Sequence, residues 1–99
     1  MERRPAVYIL ASKRNGTLYI GVTSNLPQRV WQHKQDLVEG FTRRYAVHRL
    51  VWYALLETMP DAIALEKRMK DWPRALKLRA IEKLNPDWRD LYDDFVAGD

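Results

Sequence analysis

Two short apolar runs, Ala6-Val7-Tyr8-Ile9-Leu10 and Leu18-Tyr19-Ile20-Gly21-Val22, flank the polar stretch Lys13-Arg14-Asn15-Gly16. Both runs are rich in β-branched and aromatic residues, and Asn-Gly tolerates the positive φ that a tight hairpin turn requires. The register has two solutions. If Asn15-Gly16 alone is the loop, Arg14 faces Thr17 and paired positions sum to 31; if all four polar residues form it, Ser12 faces Thr17 and the sum is 29. Both sums are odd, and side chains alternate along a strand, so either register puts Tyr8 and Tyr19 on one face. Gly21 shares that face and leaves room beside the phenols. Val7, Ile9, Leu18, Ile20 and Val22 take the other face and read as core. Two phenols over a glycine gap suit a site, although aromatic cross-strand packing gives the same pattern.

A chain of 99 residues makes one domain with a modest core. A hydrophobic fraction of 46% and four Trp indicate a folded globule. With no cysteine, disulfide frameworks, zinc knuckles and thiol nucleophiles are excluded, and a reducing, cytoplasmic setting is expected. Only Met1 to Arg4 precede the first strand, so no signal peptide is expected, and no apolar run has membrane-spanning length. The net charge of +4 is unevenly spread: residues 1–49 carry nine Lys/Arg against three Asp/Glu, and residues 50–99 carry eight against ten. A basic body, residues 1–92, followed by a loose acidic tail, residues 93–99, suggests a polyanionic partner, most simply nucleic acid. A solubility surface would have the same composition.

After the hairpin, Ser24 or Asn25 caps a helix with Pro27 in its first turn. This helix is expected to run to about Asp36 or Leu37, with Leu26, Val30 and Leu37 inward and Trp31 alongside. Arg29 and His33 are four residues apart and share a face. Gly40 to Arg49 reads as a loop in which Arg43, Arg44 and Tyr45 interleave charge with aromatic surface, as nucleic-acid contacts do; an exposed linker anchored by Phe41 is the alternative. Leu50 to Leu56 is almost wholly apolar and reads as the middle strand of the sheet. Thr58 opens a helix whose core stripe is Ala62, Leu65, Met69 and Trp72, with Glu66 at the stripe's edge, four residues before Lys70. Pro73 interrupts it. A further helix is expected from Arg74 to Leu84 with Leu78, Ile81 and Leu84 inward, ended by Asn85 as a left-handed cap and by Pro86. Trp88 and Leu91 then fold back onto the core. The expected fold is an α+β domain, a three-stranded, mostly antiparallel sheet flanked by helices in the order β-β-α-β-α-α.

Tyr8, Tyr19, Arg29, His33 and Glu66 could together hydrolyse a phosphodiester. That reaction needs water deprotonated, charge on phosphorus neutralised and the leaving oxygen stabilised. A lone carboxylate such as Glu66 can hold one Mg²⁺ or Mn²⁺ with water and phosphate oxygens. Arg29 matches phosphate with its planar fork. Tyr8 could take the proton from water if its pKa fell from about 10, and His33 could hydrogen-bond a tyrosine or accept the proton in its place. Taken singly, each of these residues has an ordinary structural use: a surface histidine, a Glu66–Lys70 pair, a solvated arginine.

Their order resembles the GIY-YIG endonuclease family. Its name-giving segments are matched by Ala6-Val7-Tyr8 and Tyr19-Ile20-Gly21, the second completely. Arg29 corresponds to the arginine of the family's first helix, His33 to a histidine one turn on in some members, Glu66 to the metal-binding glutamate of a later helix, and Asn85 to an asparagine near the module's end. The resemblance spans roughly residues 5–92 and is greatest to small stand-alone bacterial members, relatives of the excision-repair nuclease module. It implies metal-dependent cleavage of DNA by one Mg²⁺ or Mn²⁺, with Tyr8 as general base and Tyr19 placing water or phosphate. DNA is the expected partner, through Arg43, Arg44, Tyr45, Lys70 and Asn85. A role in DNA repair or recombination is expected, and a monomer. Family members often carry a lysine after the second segment; Val22 stands there, and Lys70 or Arg43 would supply the cation instead. A nucleic-acid-binding module without catalysis is the alternative.

Overall fold

A computed structural model describes residues 4–38 and 40–97, the side chains of 96 and 97 excepted. The elements are β1 (Ala6–Ala11), β2 (Leu18–Thr23), α1 (Leu26–Lys34), α2 (Phe41–Arg44), β3 (Arg49–Leu55), α3 (Met59–Asp71), α4 (Arg74–Leu84) and α5 (Asp93–Ala97). The strands form one antiparallel sheet in the order β2-β1-β3, which is the α+β arrangement expected.

The hairpin takes the four-residue loop. Paired positions sum to 29, Tyr8 with Gly21 and Leu10 with Tyr19, and the Ser12 amide donates to the Thr17 carbonyl at 3.0 Å. Asn15 turns the chain at φ 58°. The Arg74 guanidinium pins this turn to α4 by donating to the carbonyls of Asn15 (2.9 Å) and Gly16 (2.6 Å).

The middle strand is β1, all six of whose residues are buried, and not the apolar run after Leu50. That run forms β3 at a sheet edge. Helices covering both faces of a strand make its sequence continuously apolar whether or not it has two lateral neighbours. Its register slips between Ile9 and Leu10, which pair with Trp52 and Leu50, so Val51 is an extra, bulged residue. The bulge turns Val51 and Trp52 toward one core.

The sheet has a core on each face. Val7, Ile9, Ala11, Ile20 and Val51 pack with Ala62 and Met69 of α3, Ile81 of α4 and Trp88. Ala6, Tyr8 and Leu10 pack with Leu26 and Val30 of α1, Val47, Leu50 and Leu91. Trp88 and Leu91 thus close one layer each, as expected. No helix among the described residues is long and apolar enough to cross a membrane.

Several boundaries differ from expectation. Asn25 caps α1 by accepting from the Gln28 amide at 3.4 Å, but the helix ends at Lys34 and Asp36 takes φ 56°. Leu37 and Trp31 therefore face solvent, at 62% and 46% exposure, and the third inward position belongs to His33. The basic stretch after Gly40 holds the short helix α2 and the first residue of β3. Thr58 caps α3 as expected. On α4, Leu84 is 53% exposed, and its cap Asn85 lies at φ −143°, not in the left-handed region. Residues Asp93–Ala97 of the supposedly loose tail form α5, because Phe95 packs against Tyr53 and Tyr92; residues 98 and 99 of that tail lie outside the described ones.

Candidate active site

The register places the Tyr8 ring over Gly21. A Cβ at position 21 would collide with Tyr8 Oη, sit 2.5 Å from its Cζ and lie 3.0 Å from Tyr19 Cε2, so glycine is needed for this close approach. Tyr19 is on the same face, with ring centroids 6.3 Å apart at 42°. Directly after β2, α1 delivers Arg29 and His33. His33 is 1% exposed. Its Nε2 is 3.1 Å from Tyr8 Oη, and its Nδ1 is 2.9 Å from Thr42 Oγ1 on α2. Arg29 is held by Gln32, to whose Oε1 it donates at 3.3 Å, and its charge is near enough to act on the Tyr8 phenol.

Glu66 belongs to the opposite layer, on α3. That helix packs against β2, one edge of the sheet, and the Glu66 carboxylate is near enough to oppose ionisation of Tyr8. Its side chain is only 14% exposed, and Oε2 is 3.1 Å from Lys70 Nζ.

Tyr8 and His33 are both held in their neutral forms. Burial, with the neighbouring Tyr19 hydroxyl, pushes Tyr8 up to about 12, against the nearby positive guanidinium of Arg29; the Glu66 charge adds a smaller upward push. Burial, then the charges of Arg29 and His48, push His33 down to about 4. At neutral pH the pair is a neutral phenol and a neutral imidazole.

Beside Tyr19 lies a groove of about 360 Å³ lined by Leu18, Tyr19, Ile20, Phe41, Lys70 and Lys77. The Phe41 ring stacks on Tyr19 at 6.3 Å and 28°, and Tyr45 continues the series at 4.8 Å. Arg44 lies over the Tyr45 ring, 5.6 Å from its centroid. The groove has an aromatic wall and a lysine wall.

Tyr8, Tyr19 and His33 are therefore packed together, Arg29 and Glu66 are near enough for their charges to act on the Tyr8 phenol, and Lys70 is paired with Glu66. Arg43, Arg44 and Tyr45 are exposed on and just after α2. Asn85 is not among them. It is 4% exposed, its amide donates to the carbonyls of the bulged Val51 (3.2 Å) and of Arg89 (2.8 Å), and its oxygen accepts from the Arg89 amide (3.2 Å). Val22 pairs with Val7 and packs in the layer away from the phenols. Thr42 and Lys77 were missed: a lone hydroxyl in a basic stretch and one lysine among many give no sequence signal. Among the described residues no group of three His, Asp or Glu could hold a metal. A metal here would rest on Glu66, with water and phosphate oxygens completing its shell, a donor set suited to Mg²⁺ or Mn²⁺.

An edge-of-sheet cluster of phenol, imidazole, guanidinium and carboxylate beside a cationic groove is the equipment of a phosphodiester hydrolase. The chain belongs to the GIY-YIG family of nucleases: the family model described as the GIY-YIG catalytic domain matches residues 4–80. It is similar to a UPF0213 protein of Nitratidesulfovibrio vulgaris, 34% identical over 92 residues, 93% of this chain and 77% of the relative. It is also similar to a UPF0213 protein of Oceanobacillus iheyensis, 32% identical over 82 residues, 83% of this chain and 94% of the relative. A third, from Staphylococcus aureus, is 33% identical over 78 residues, 78% of this chain and 93% of the relative. No solved structure matches the chain significantly.

Proposed function

We propose that the protein is a divalent-metal-dependent DNA endonuclease that hydrolyses phosphodiester bonds, directed by DNA structure or damage in repair or recombination. Its setting is the cytoplasm, in keeping with a chain that has no cysteine, and its working unit is the monomer. One observation carries this reading: Arg29 of α1, His33 of α1 and Glu66 of α3 all bear on the Tyr8 hydroxyl of β1, although they come from opposite sides of the sheet.

A tyrosine at about 12 is phenolate in roughly one molecule in 10⁵ at neutral pH, too few for a resting general base. A relay that starts from the neutral phenol needs no standing phenolate, and the negative charge of a bound phosphate would raise the basicity of His33 above that in the empty site. As water attacks phosphorus, Tyr8 Oη takes the water's proton and passes its own to His33 Nε2. The new P–O bond forms as the bond to the leaving sugar oxygen breaks. The departing alkoxide takes a proton from solvent, and His33 later returns its proton to solvent. Arg29 faces the charge gathering on the phosphate oxygens, and Tyr19 orients water or phosphate. Mg²⁺ or Mn²⁺ on Glu66, when bound, would supply further charge neutralisation at the phosphate. Arg43, Arg44, Tyr45 and the groove lysines Lys70 and Lys77 would hold the DNA backbone, with affinity falling steeply with salt.

The test is nicking of junction, flap and gapped DNA in Mg²⁺ or Mn²⁺. Wild-type protein cleaves, whereas Glu66→Ala and Arg29→Ala fold normally and lose cleavage by about 10²-fold or more. Wild-type binding without cleavage of any of these substrates, or full cleavage by a carefully purified Glu66→Ala protein, contradicts it.

A further inference from the structure

His33 has two buried partners, and only one of its ring nitrogens can carry a proton in the neutral state. Two arrangements are possible. Either Nδ1–H donates to Thr42 and Tyr8 donates to Nε2, or Thr42 donates to Nδ1 and Nε2–H donates to Tyr8. Donor strength decides between them: a phenol is a far more acidic donor than an aliphatic hydroxyl, so the imidazole lone pair goes to Tyr8 and its N–H to Thr42. The Arg29 charge acts in the same direction, since a cation near the phenol favours an O–H that points away from it. The first arrangement gives a continuous chain, Tyr8 donating to His33 Nε2 and His33 Nδ1 to Thr42.

The geometry points to Thr42 as a positioning residue: its oxygen, 2.9 Å from His33 Nδ1, holds the ring proton there and so keeps Nε2 free to receive the proton of Tyr8. Thr42 is 2% exposed and acts by selecting the tautomer of the residue that does receive the proton. The same short helix carries Phe41, whose ring stacks on Tyr19, so α2 braces both the imidazole and the second tyrosine. The catalytic consequence rests on the nuclease reading; the tautomer does not.

The test is long-range ¹H–¹⁵N correlation of the histidine rings at pH 7 in wild type, Thr42→Val and Thr42→Ser, with cleavage kinetics alongside. In wild type and Thr42→Ser the His33 proton is expected on Nδ1. In Thr42→Val it moves to Nε2 or divides between the two nitrogens, and kcat falls about 10²-fold with KM for DNA little changed, while Thr42→Ser keeps most of kcat. A wild-type His33 protonated on Nε2 overturns the assignment even if Thr42→Val fails to fold. So does a folded Thr42→Val protein with its proton still on Nδ1. A wild type with the proton on Nδ1 but no cleavage of any DNA would sink the nuclease reading alone.

Discussion

Protonating His33 should cost the protein much of its acid stability. The ring is buried at 1% exposure between Tyr8 and Thr42, and burial with the nearby Arg29 and His48 lowers it from 6.5 to about 4. The unfolded chain takes up a proton near pH 6.5 that the folded chain refuses until about pH 4. The unfolded state therefore binds more protons in that window, and stability falls as pH falls through it. At 1.36 kcal/mol per pH unit the full loss is about 3 kcal/mol, a large share of the ~5–15 kcal/mol of a typical domain. Urea unfolding at pH 7.5, 6, 5 and 4 would measure this in wild type and in His33→Gln, which keeps an amide but cannot titrate. Carboxylates contribute equally to both, so the difference isolates the imidazole: wild type should lose about 2–3 kcal/mol more than the variant between pH 7.5 and 4. An NMR titration should show no His33 transition near pH 6.5. Parallel pH dependences, or a His33 midpoint at 6.5, would mean that the folded ring takes up its proton as freely as the unfolded one.

Gly21→Ala forces a methyl group into the Tyr8 ring; it should cost about 1–3 kcal/mol and abolish cleavage, and an unchanged melting temperature would count against this packing. Asn85→Ala leaves the bulged Val51 carbonyl and two Arg89 backbone groups unpaired; about 1–3 kcal/mol of stability should go with DNA affinity unchanged, and a stable variant with weakened binding would restore Asn85 to the DNA surface. Asp90 pairs with Lys34 and accepts from the Leu50 and Tyr92 amides. Asp90→Ala should lower stability by about 1–2 kcal/mol, read by urea unfolding, and leave His33 in its neutral state by NMR.

Tyr8, Tyr19 and Gly21 were legible in the sequence because strand alternation is strict: either turn length put them on one face, and the structure then selected the pairing sum of 29. His33 was not read as buried. A polar residue near a helix end looks solvated, and the helix was expected to extend to Leu37; ending it at Lys34 gives the inward stripe Leu26, Val30, His33. Glu66 was placed at the margin of its helix stripe, and that margin is where a side chain can reach past the edge strand β2. Position 51 carried no sign of a bulge, since an inserted valine in an apolar run looks like any other. Without the bulge, Asn85 had no visible partner, which left the family resemblance as the sole guide to its role. Thr42 acquires its function only from the tertiary meeting of α2 with α1.

If side chains from both layers of the fold converge on one site, crystals soaked in Mn²⁺ will show it. Anomalous diffraction should show a single strong peak within coordination distance of Glu66, with Tyr8 and Arg29 facing it and Lys70 displaced from the carboxylate. A peak bound elsewhere, or a Glu66 still paired with Lys70 at saturating Mn²⁺, would contradict the account.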